Sequence, residues 1–458
     1  MRHFDLVIIG SGSGNTLPDE RFAALDIAIV EEGVFGGTCL NVGCIPTKMY
    51  VFAADIARKI VGASQFGIDA TVDKVRWADI RDRIFNRIDP ISEGGRSYRE
   101  SGAENITLYS GHAEFSAPKQ LVVTFPDGRR EELTADRFVL AAGSRPIIPP
   151  AIAESGAPYC TSETVLRMDE LPARMVIVGG GYISAEFAHV FSALGVDVTI
   201  VTRGPALLRH LDETLSERFT ELAVARWDVR TNVEPAGLER TATGVRLALS
   251  DGTSIETDEL LVAAGRMPNS DRLGLAATGV AVEPDGRVAV DEYQRTSVEG
   301  IYALGDLSSP YLLKHVANHE AKVVAHNLLH PDALRRTDHR FVPAAVFTSP
   351  SLASVGLTEE ECRERGIRYV RAIQDYSSVA YGWAMEDRTG FCKLLADPAT
   401  GLLLGAHVLG AEASTVIQPL IQAMSFGLPA RKMAEGQYWI HPALPELIEN
   451  ALLSLPLD

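Results

Sequence analysis

Residues 36–48 read Gly36-Gly-Thr38-Cys39-Leu-Asn-Val-Gly-Cys44-Ile-Pro-Thr-Lys48. The two cysteines stand five positions apart, bracketed by glycines and followed by a proline and a long helical pattern. If the segment is helical, that offset puts them on neighbouring turns, close enough for a disulfide, whose Cα atoms must come within roughly 7 Å. The pair reads as a redox centre that opens and closes during turnover. Two buried thiols or half of a metal site fit the same spacing, and the rest of the chain has to decide.

Upstream, Phe4–Ile9 is an apolar run of buried parallel-strand character that feeds into Gly10-Ser-Gly12-Ser-Gly14-Asn15. A strand, a glycine-rich turn and an acidic residue about twenty positions later make up the dinucleotide-binding pattern. Gly10 makes the tight turn, and Gly12 lets the backbone approach a pyrophosphate. Glu31 ends the strand 27–30 and is placed to bond a ribose 2′-hydroxyl. Asn15 occupies the third glycine position and Pro18 follows, so the first helix should be short or irregular. Downstream, Met49, Phe52, Ala53, Ile56 and Ile60 recur at helical spacing and predict a long amphipathic helix beginning near Pro46. Its N-terminal dipole would favour the thiolate of a nearby cysteine. Trp77, Ile80, Ile84 and Ile88 predict a second helix ending near Pro90. Residues 105–140 alternate, with a Pro126-Asp127-Gly128 turn, and predict antiparallel strands. They close on Phe138-Val-Leu-Ala-Ala-Gly143-Ser-Arg-Pro146, a buried strand breaking at a glycine, and the prolines that follow mark a domain crossing.

The pattern then repeats. Met175–Val178 is an apolar strand, followed by Gly179-Gly-Gly181-Tyr182-Ile-Ser184, with Ser184 in the third glycine position. The next strand, 196–201, ends in Thr202-Arg203, with Arg209 six residues later, rather than in an acid. Glu31 suits a free 2′-hydroxyl, whereas arginine at the same topological place suits a 2′-phosphate. The first site therefore points to FAD and the second to NADPH; two ordinary surface arginines are the alternative. Asp306, after Ile301-Tyr-Ala-Leu-Gly305, could accept hydrogen bonds from a polyol chain. From Pro343 the texture changes to short β-branched runs and helices, an α+β unit closing on Gln437-Tyr-Trp-Ile-His441-Pro-Ala-Leu-Pro-Glu446.

At 458 residues the chain should form two to four domains. A net charge of −17 argues against nucleic acid or an anionic membrane as partner. No apolar run reaches the ~18 residues of a membrane-spanning helix, and no secretory signal is apparent, so a cytoplasmic protein is expected. Cys160, Cys362 and Cys392 are scattered and read as small buried hydrophobes. Metal ligands at the usual spacing are lacking around the cysteine pair.

Taken together and in this order, GGTCLNVGCIPTK, the stretch from Thr296 to the YALGD ending at Asp306, and HPALPE resemble the pyridine nucleotide–disulfide oxidoreductases. The resemblance covers nearly the whole chain. It implies an α/β protein with two Rossmann-like dinucleotide-binding domains and a C-terminal α+β dimerisation (interface) domain. Residues 1–147 and 270–340 would bind FAD, 148–269 NADPH, and 341–458 would form the interface. FAD would be held by Gly10, Gly12, Gly14, Glu31, Thr38, Lys48, Gly143 and Asp306. The NADPH side would comprise Gly179, Gly181, Tyr182, Glu186, Arg203 and Arg209. Cys39 and Cys44 would form the redox disulfide, Cys44 facing the flavin and Cys39 exchanging with substrate. His441, oriented by Glu446, would be the acid/base, completing the active site of the partner in a homodimer. Lys48 would lie by the flavin and pair with Glu186, and Tyr182 would cover the flavin until nicotinamide displaces it.

Within the family, GSGSGN, the PDERF after it, SVAYGWAMED at 378–387 and GQYWIHPALPE are nearest to the branch that reduces mycothiol disulfide. That substrate is neutral and rich in hydroxyls; Tyr381, Trp383, Glu386 and Asp387 could contact it or could form a subunit-contact loop. An NAD-linked dihydrolipoamide dehydrogenase would want an acid at Thr202-Arg203, and a reductase of glutathione disulfide remains a further alternative. Mercuric and large thioredoxin reductases would want a C-terminal cysteine pair, absent from Asn450–Asp458. A flavoprotein sensor without turnover would have no need of His441 and Glu446.

Overall fold

The computed structural model describes all 458 residues. β1 (Arg2–Ile9) is apolar and buried from Leu6 to Ile9, where it lies inside a sheet covered on both faces. Parallel to it run β2 (Ile27–Glu31) and β6 (Arg130–Leu140), and β3 (Ile106–Ser110) extends the sheet beyond β2. β4 (His112–Ala117) and β5 (Gln120–Thr124) form an antiparallel meander on the first half of β6. The second half of β6 pairs in parallel with Ile301–Ala303, the strand that leads to Asp306. The antiparallel expectation for 105–140 thus holds for β4, β5 and the start of β6, whereas β3 is parallel to β2. Alternating side chains mark a strand but leave the direction of its partner open.

Between β1 and β2 there is no ordinary crossover helix. Two 3-10 turns, Gly14–Thr16 and Glu20–Phe22, fill the connection, in keeping with Asn15 and Pro18. Their backbone is tied down by buried Arg99, which donates to Asn15 Oδ1 (2.8 Å) and to the carbonyls of Asn15 (3.0 Å) and Pro18 (3.2 Å).

After β2 come α1 (Gly37–Asn41) and α2 (Cys44–Val61). α2 starts at Cys44, earlier than Pro46 suggested, and Pro46 sits in the first turn, where a missing N–H costs nothing. Its buried face is Tyr50, Val51, Ala54 and Ala57, while Phe52 and Ile56 are 65% and 50% exposed. The sequence periodicity therefore found the helix but chose its outer face. α3 (Trp77–Ser97) runs on through Pro90 instead of stopping there. Beyond Pro90, Ser92 donates to the Phe35 carbonyl, and Gly95 lies so close to the Phe35 ring that a Cβ would be 3.2 Å away. These tertiary contacts offset the one hydrogen bond that proline removes.

The second sheet is wholly parallel, in the order 228–230, 197–201, 174–178, 259–262, 160–161. A two-stranded antiparallel ribbon, Ser144–Pro146 with Arg266–Pro268, joins the chain leaving the first sheet to the chain leaving the second. The C-terminal unit is a five-stranded antiparallel sheet, 344–346, 351–356, 403–410, 391–396, 370–375, backed by short helices.

The largest apolar cluster runs from α2 and α3 through the helix Tyr182–Ala193 to Val346 and Phe391 of the C-terminal sheet. Beside it a charged cluster is sealed from water. Lys393 Nζ meets Asp212 (2.8 Å), Glu359 (2.6 Å) and Thr214 Oγ1 (2.9 Å), with Lys393 and Asp212 both fully buried. No helix is long and apolar enough to cross a membrane.

Candidate active site

The turn between α1 and α2 sets the cysteine geometry. A Cβ on Gly43 would stand 2.8 Å from the Thr38 carbonyl oxygen and 3.3 Å from Cys39 Cα, so only glycine lets Cys44 fold back beside Cys39. Both cysteines are free thiols, close enough that each shifts the ionisation of the other. The neighbouring Cys39 thiol is the main reason the Cys44 pKa falls from 9.0 to about 7; the Lys48 ammonium adds to it, while burial opposes. The neighbouring Cys44, together with burial, raises Cys39. Cys44 is therefore the thiolate and Cys39 the protonated partner.

One turn beyond Cys44, Lys48 Nζ donates to both oxygens of Glu186 at 2.6 and 2.9 Å. Glu186 is buried on the helix Tyr182–Ala193 and also accepts the Phe347 N–H at 3.0 Å, so it ties together α2, the second dinucleotide unit and the C-terminal unit. Two turns further along the same seam, Asp55 Oδ1 meets buried His189 Nε2 at 2.8 Å. Tyr182, at the start of that helix, has its pKa pushed up to about 12, chiefly by burial.

Cys39, Cys44, Lys48, Tyr182 and Glu186 open on a cavity of about 1460 Å3. That exceeds the roughly 300–1,000 Å3 of a pocket for one small ligand. Its wall includes Gly10, Gly12 and Glu31 from the first unit, and Thr38, Cys39, Cys44 and Lys48 from α1 and α2. Gly143, Asp306, Gly181, Tyr182 and Glu186 complete the predicted residues that the fold brings to it. Gly10 has φ +105°, and a Cβ there would stand 2.3 Å from the Ala141 carbonyl oxygen. Gly12 and Gly37 approach so closely that a Cβ on Gly37 would come within 2.6 Å of Gly12 Cα. Glu31 Oε2 accepts the Ser11 N–H (2.8 Å) and hydroxyl (2.6 Å), and Oε1 accepts the Gly33 N–H (2.8 Å), so its carboxylate braces the glycine turn.

The other predicted residues lie off this wall. Gly14 packs under Ile8 and Ala141, and Gly179 meets the Ala263 carbonyl. Arg203 and Arg209 are exposed beyond the second sheet, with Arg209 folded over Gly204. His441 Nδ1 and Glu446 Oε1 are 2.6 Å apart, on an exposed stretch that also carries fully exposed Tyr438. Residues 378–387 form the short surface helix Ala380–Ala384 and the turn after it; Trp383 Nε1 donates to the Ser377 carbonyl (2.7 Å) and Asp387 accepts from Gly390 (2.8 Å).

Sequence reasoning missed a polar chain behind Asp306. Ser144 Oγ donates to Asp306 Oδ2 (2.7 Å), and Arg266 donates to Ser144 Oγ (2.8 Å) and to Glu163 (2.8 Å). The signal was present as an internal repeat: Ala141-Ala-Gly-Ser-Arg-Pro146 and Ala263-Ala-Gly-Arg-Met-Pro268 both leave a central strand, and they form the two-stranded ribbon. Lys314, at the start of the helix Lys314–Leu329, also lines the cavity and had no motif to announce it.

Comparison with known proteins agrees with this arrangement. The sequence model of the pyridine nucleotide-disulphide oxidoreductases matches residues 4–321, and that of their dimerisation domain matches 342–452. The chain is 58% identical to mycothione reductase of Mycobacterium tuberculosis, over 99% of this chain and 100% of that protein. It is 33% identical to glutathione reductase of Burkholderia cepacia, with 97% of each covered. Among solved structures, a copper(II) complex of the HOCl-induced flavoprotein disulfide reductase RclA from Escherichia coli superimposes with a TM-score of 0.87 at 27% identity, covering 99% of both chains. The dimerisation domain makes the assembly a homodimer. With the family's sequence pattern running from the first strand to the last helix, and a paired cysteine centre between two dinucleotide units, the chain belongs to the pyridine nucleotide-disulphide oxidoreductase family.

Proposed function

We propose that the protein is a cytoplasmic, FAD-dependent reductase that uses NADPH to convert mycothiol disulfide (mycothione) to two mycothiols. The observation that carries this reading is the 58% identity to a mycothione reductase along the whole chain, against 33% to a glutathione reductase of equal coverage.

The residues present suit FAD. Gly12 and Gly37 leave bare backbone where a diphosphate must approach, and a Cβ on Gly143 or Gly181 would meet nothing within 4 Å. Asp306 spends one oxygen on Ser144 and keeps the other for a polyol. Bound FAD would take a hydride from NADPH and deliver an electron pair to the cysteine disulfide. The chain's own groups do the rest. Cys39, once deprotonated, attacks one sulfur of the substrate, forming a mixed disulfide and releasing one mycothiol thiolate. The Cys44 thiolate then attacks Cys39 Sγ, which releases the second mycothiol and closes the Cys39–Cys44 disulfide. His441 of the partner subunit takes the Cys39 proton and returns it to the departing sulfur, while Glu446 holds its Nδ1. Lys48, fixed by Glu186, keeps positive charge beside the Cys44 sulfur. Arg203 and Arg209 are the groups to meet the NADPH 2′-phosphate.

The test is a steady-state panel of mycothiol, glutathione, trypanothione and lipoamide disulfides, each run with NADPH and with NADH. Mycothiol disulfide with NADPH should give the highest kcat/KM. A preference for glutathione disulfide would overturn the substrate, and a preference for NADH would overturn the role of the arginines.

A further inference from the structure

In a glycine-turn nucleotide unit, the diphosphate is normally held by backbone N–H groups and by the positive end of the helix that follows the turn. This chain keeps the turn, Gly10–Gly14, but has only the three-residue 3-10 segment Gly14–Thr16 where that helix should begin. A helical dipole grows from aligned peptide units, so so short a segment contributes little of that positive potential.

A positive charge stands beside the same turn. Lys314 is the first residue of the helix Lys314–Leu329, a position where the helix dipole disfavours a cation. It is not offset by an acid: the lysines held in ion pairs are Lys48 and Lys393. The Lys314 ammonium has one hydrogen bond, to Ser13 Oγ at 2.9 Å, and the side chain is half-buried on the cavity wall. Ser13 in turn donates to Asn318 Oδ1, one helical turn on (3.2 Å). The helix thus grips the glycine turn through two residues and leaves an unneutralised ammonium at its mouth.

We propose that Lys314 binds the diphosphate of FAD, supplying the charge that the missing crossover helix would otherwise provide, with Ser13 and Asn318 positioning it. The inference rests on the reading that FAD occupies the first glycine turn. An ammonium partly withdrawn from water and aimed at a dianionic group offsets both its dipole penalty and the shortened turn.

The rate of FAD loss from diluted holoenzyme, followed by the rise in flavin fluorescence between 0.05 and 1 M KCl, tests this. Lys314→Met should lose FAD roughly tenfold faster than wild type at low salt, the size expected for one hydrogen bond to a charged group. The gap should close as KCl rises, because screening weakens the wild-type contact alone. Lys314→Arg should behave as wild type. Equal rates for Lys314→Met and wild type, or a ratio constant at every KCl concentration as lost packing would produce, overturns the proposal. Protein that purifies without any flavin would instead overturn the functional reading itself.

Discussion

Cys39 and Cys44 are chemically unequal before any substrate arrives. Their mutual influence raises Cys39 and lowers Cys44, and Lys48 favours the Cys44 thiolate from the next turn of α2. Because the Cys44 pKa is lowered, the thiolate persists as pH falls from 9.0 until it passes about 7, where protonation overtakes it. The long-wavelength charge-transfer absorbance of enzyme reduced anaerobically with NADPH should therefore grow as pH rises through about 7 and should vanish in Cys44→Ser at every pH. A band that survives this substitution would put the thiolate on Cys39. The cysteines, Lys48 and Glu186 could be picked out of the sequence because a dense local motif names them. Arg266 could not, since its role depends on the ribbon that sets the strand 266–268 against 144–146, letting its side chain reach Ser144. A repeat of Ala-Ala-Gly after two different strands was the available clue, and it points to equivalent exits from two similar units rather than to an ion-paired arginine.

The α1–α2 corner shows how a backbone constraint becomes chemistry. Gly43 is required because the chain must pass within van der Waals contact of Thr38 and Cys39. Gly43→Ala should force the corner open, at about 1–3 kcal/mol of overpacking, and move Cys44 away from Cys39. The expected outcome is a protein that folds and keeps its flavin but recloses the disulfide at least tenfold more slowly, as read by thiol titration after a single turnover. Unchanged reclosure would mean that the corner tolerates a methyl group. Helix existence was readable from spacing for α2 and α3, and inward faces and ends were not. α2 is apolar on two sides, and its inward face is decided by packing against the helix Tyr182–Ala193 and against α3, where Tyr50 stacks on Trp77. α3 outruns Pro90 because Phe35, 57 residues away from Ser92, receives its hydrogen bond.

The two dinucleotide units and the C-terminal sheet could be read from motif order, since each central strand ends at its own glycine turn. The arrangement of subunits came only from the family resemblance, because the residues of one chain hold no trace of which copy they serve. His441 and Glu446 are 2.6 Å apart yet lie off the cavity of their own chain, on the exposed stretch that carries Tyr438 and Ile440. The trans arrangement proposed above makes a sharp prediction for mixed dimers. A heterodimer of Cys39→Ser and His441→Gln subunits has one site with both intact cysteines and an intact histidine, so purified heterodimer should show about half of wild-type turnover. Each mutant homodimer should be close to inactive. If His441 served its own chain, the heterodimer would be as inactive as its parents.

The sealed contact of Lys393 with Asp212 and Glu359 gives the molecule a matched lock between the second dinucleotide unit and the C-terminal sheet. Its parts are costly alone: an ammonium or carboxylate left buried without its counter-ion destabilises a fold by about 3–5 kcal/mol. Units of this fold therefore cannot be shuffled freely between relatives by recombination. Lys393 keeps Glu359 within its own unit, but buried Asp212 depends on the C-terminal sheet for its cation, so a second dinucleotide unit carrying Asp212 needs a C-terminal unit that offers a cation at position 393, and the two segments must evolve as one linked character.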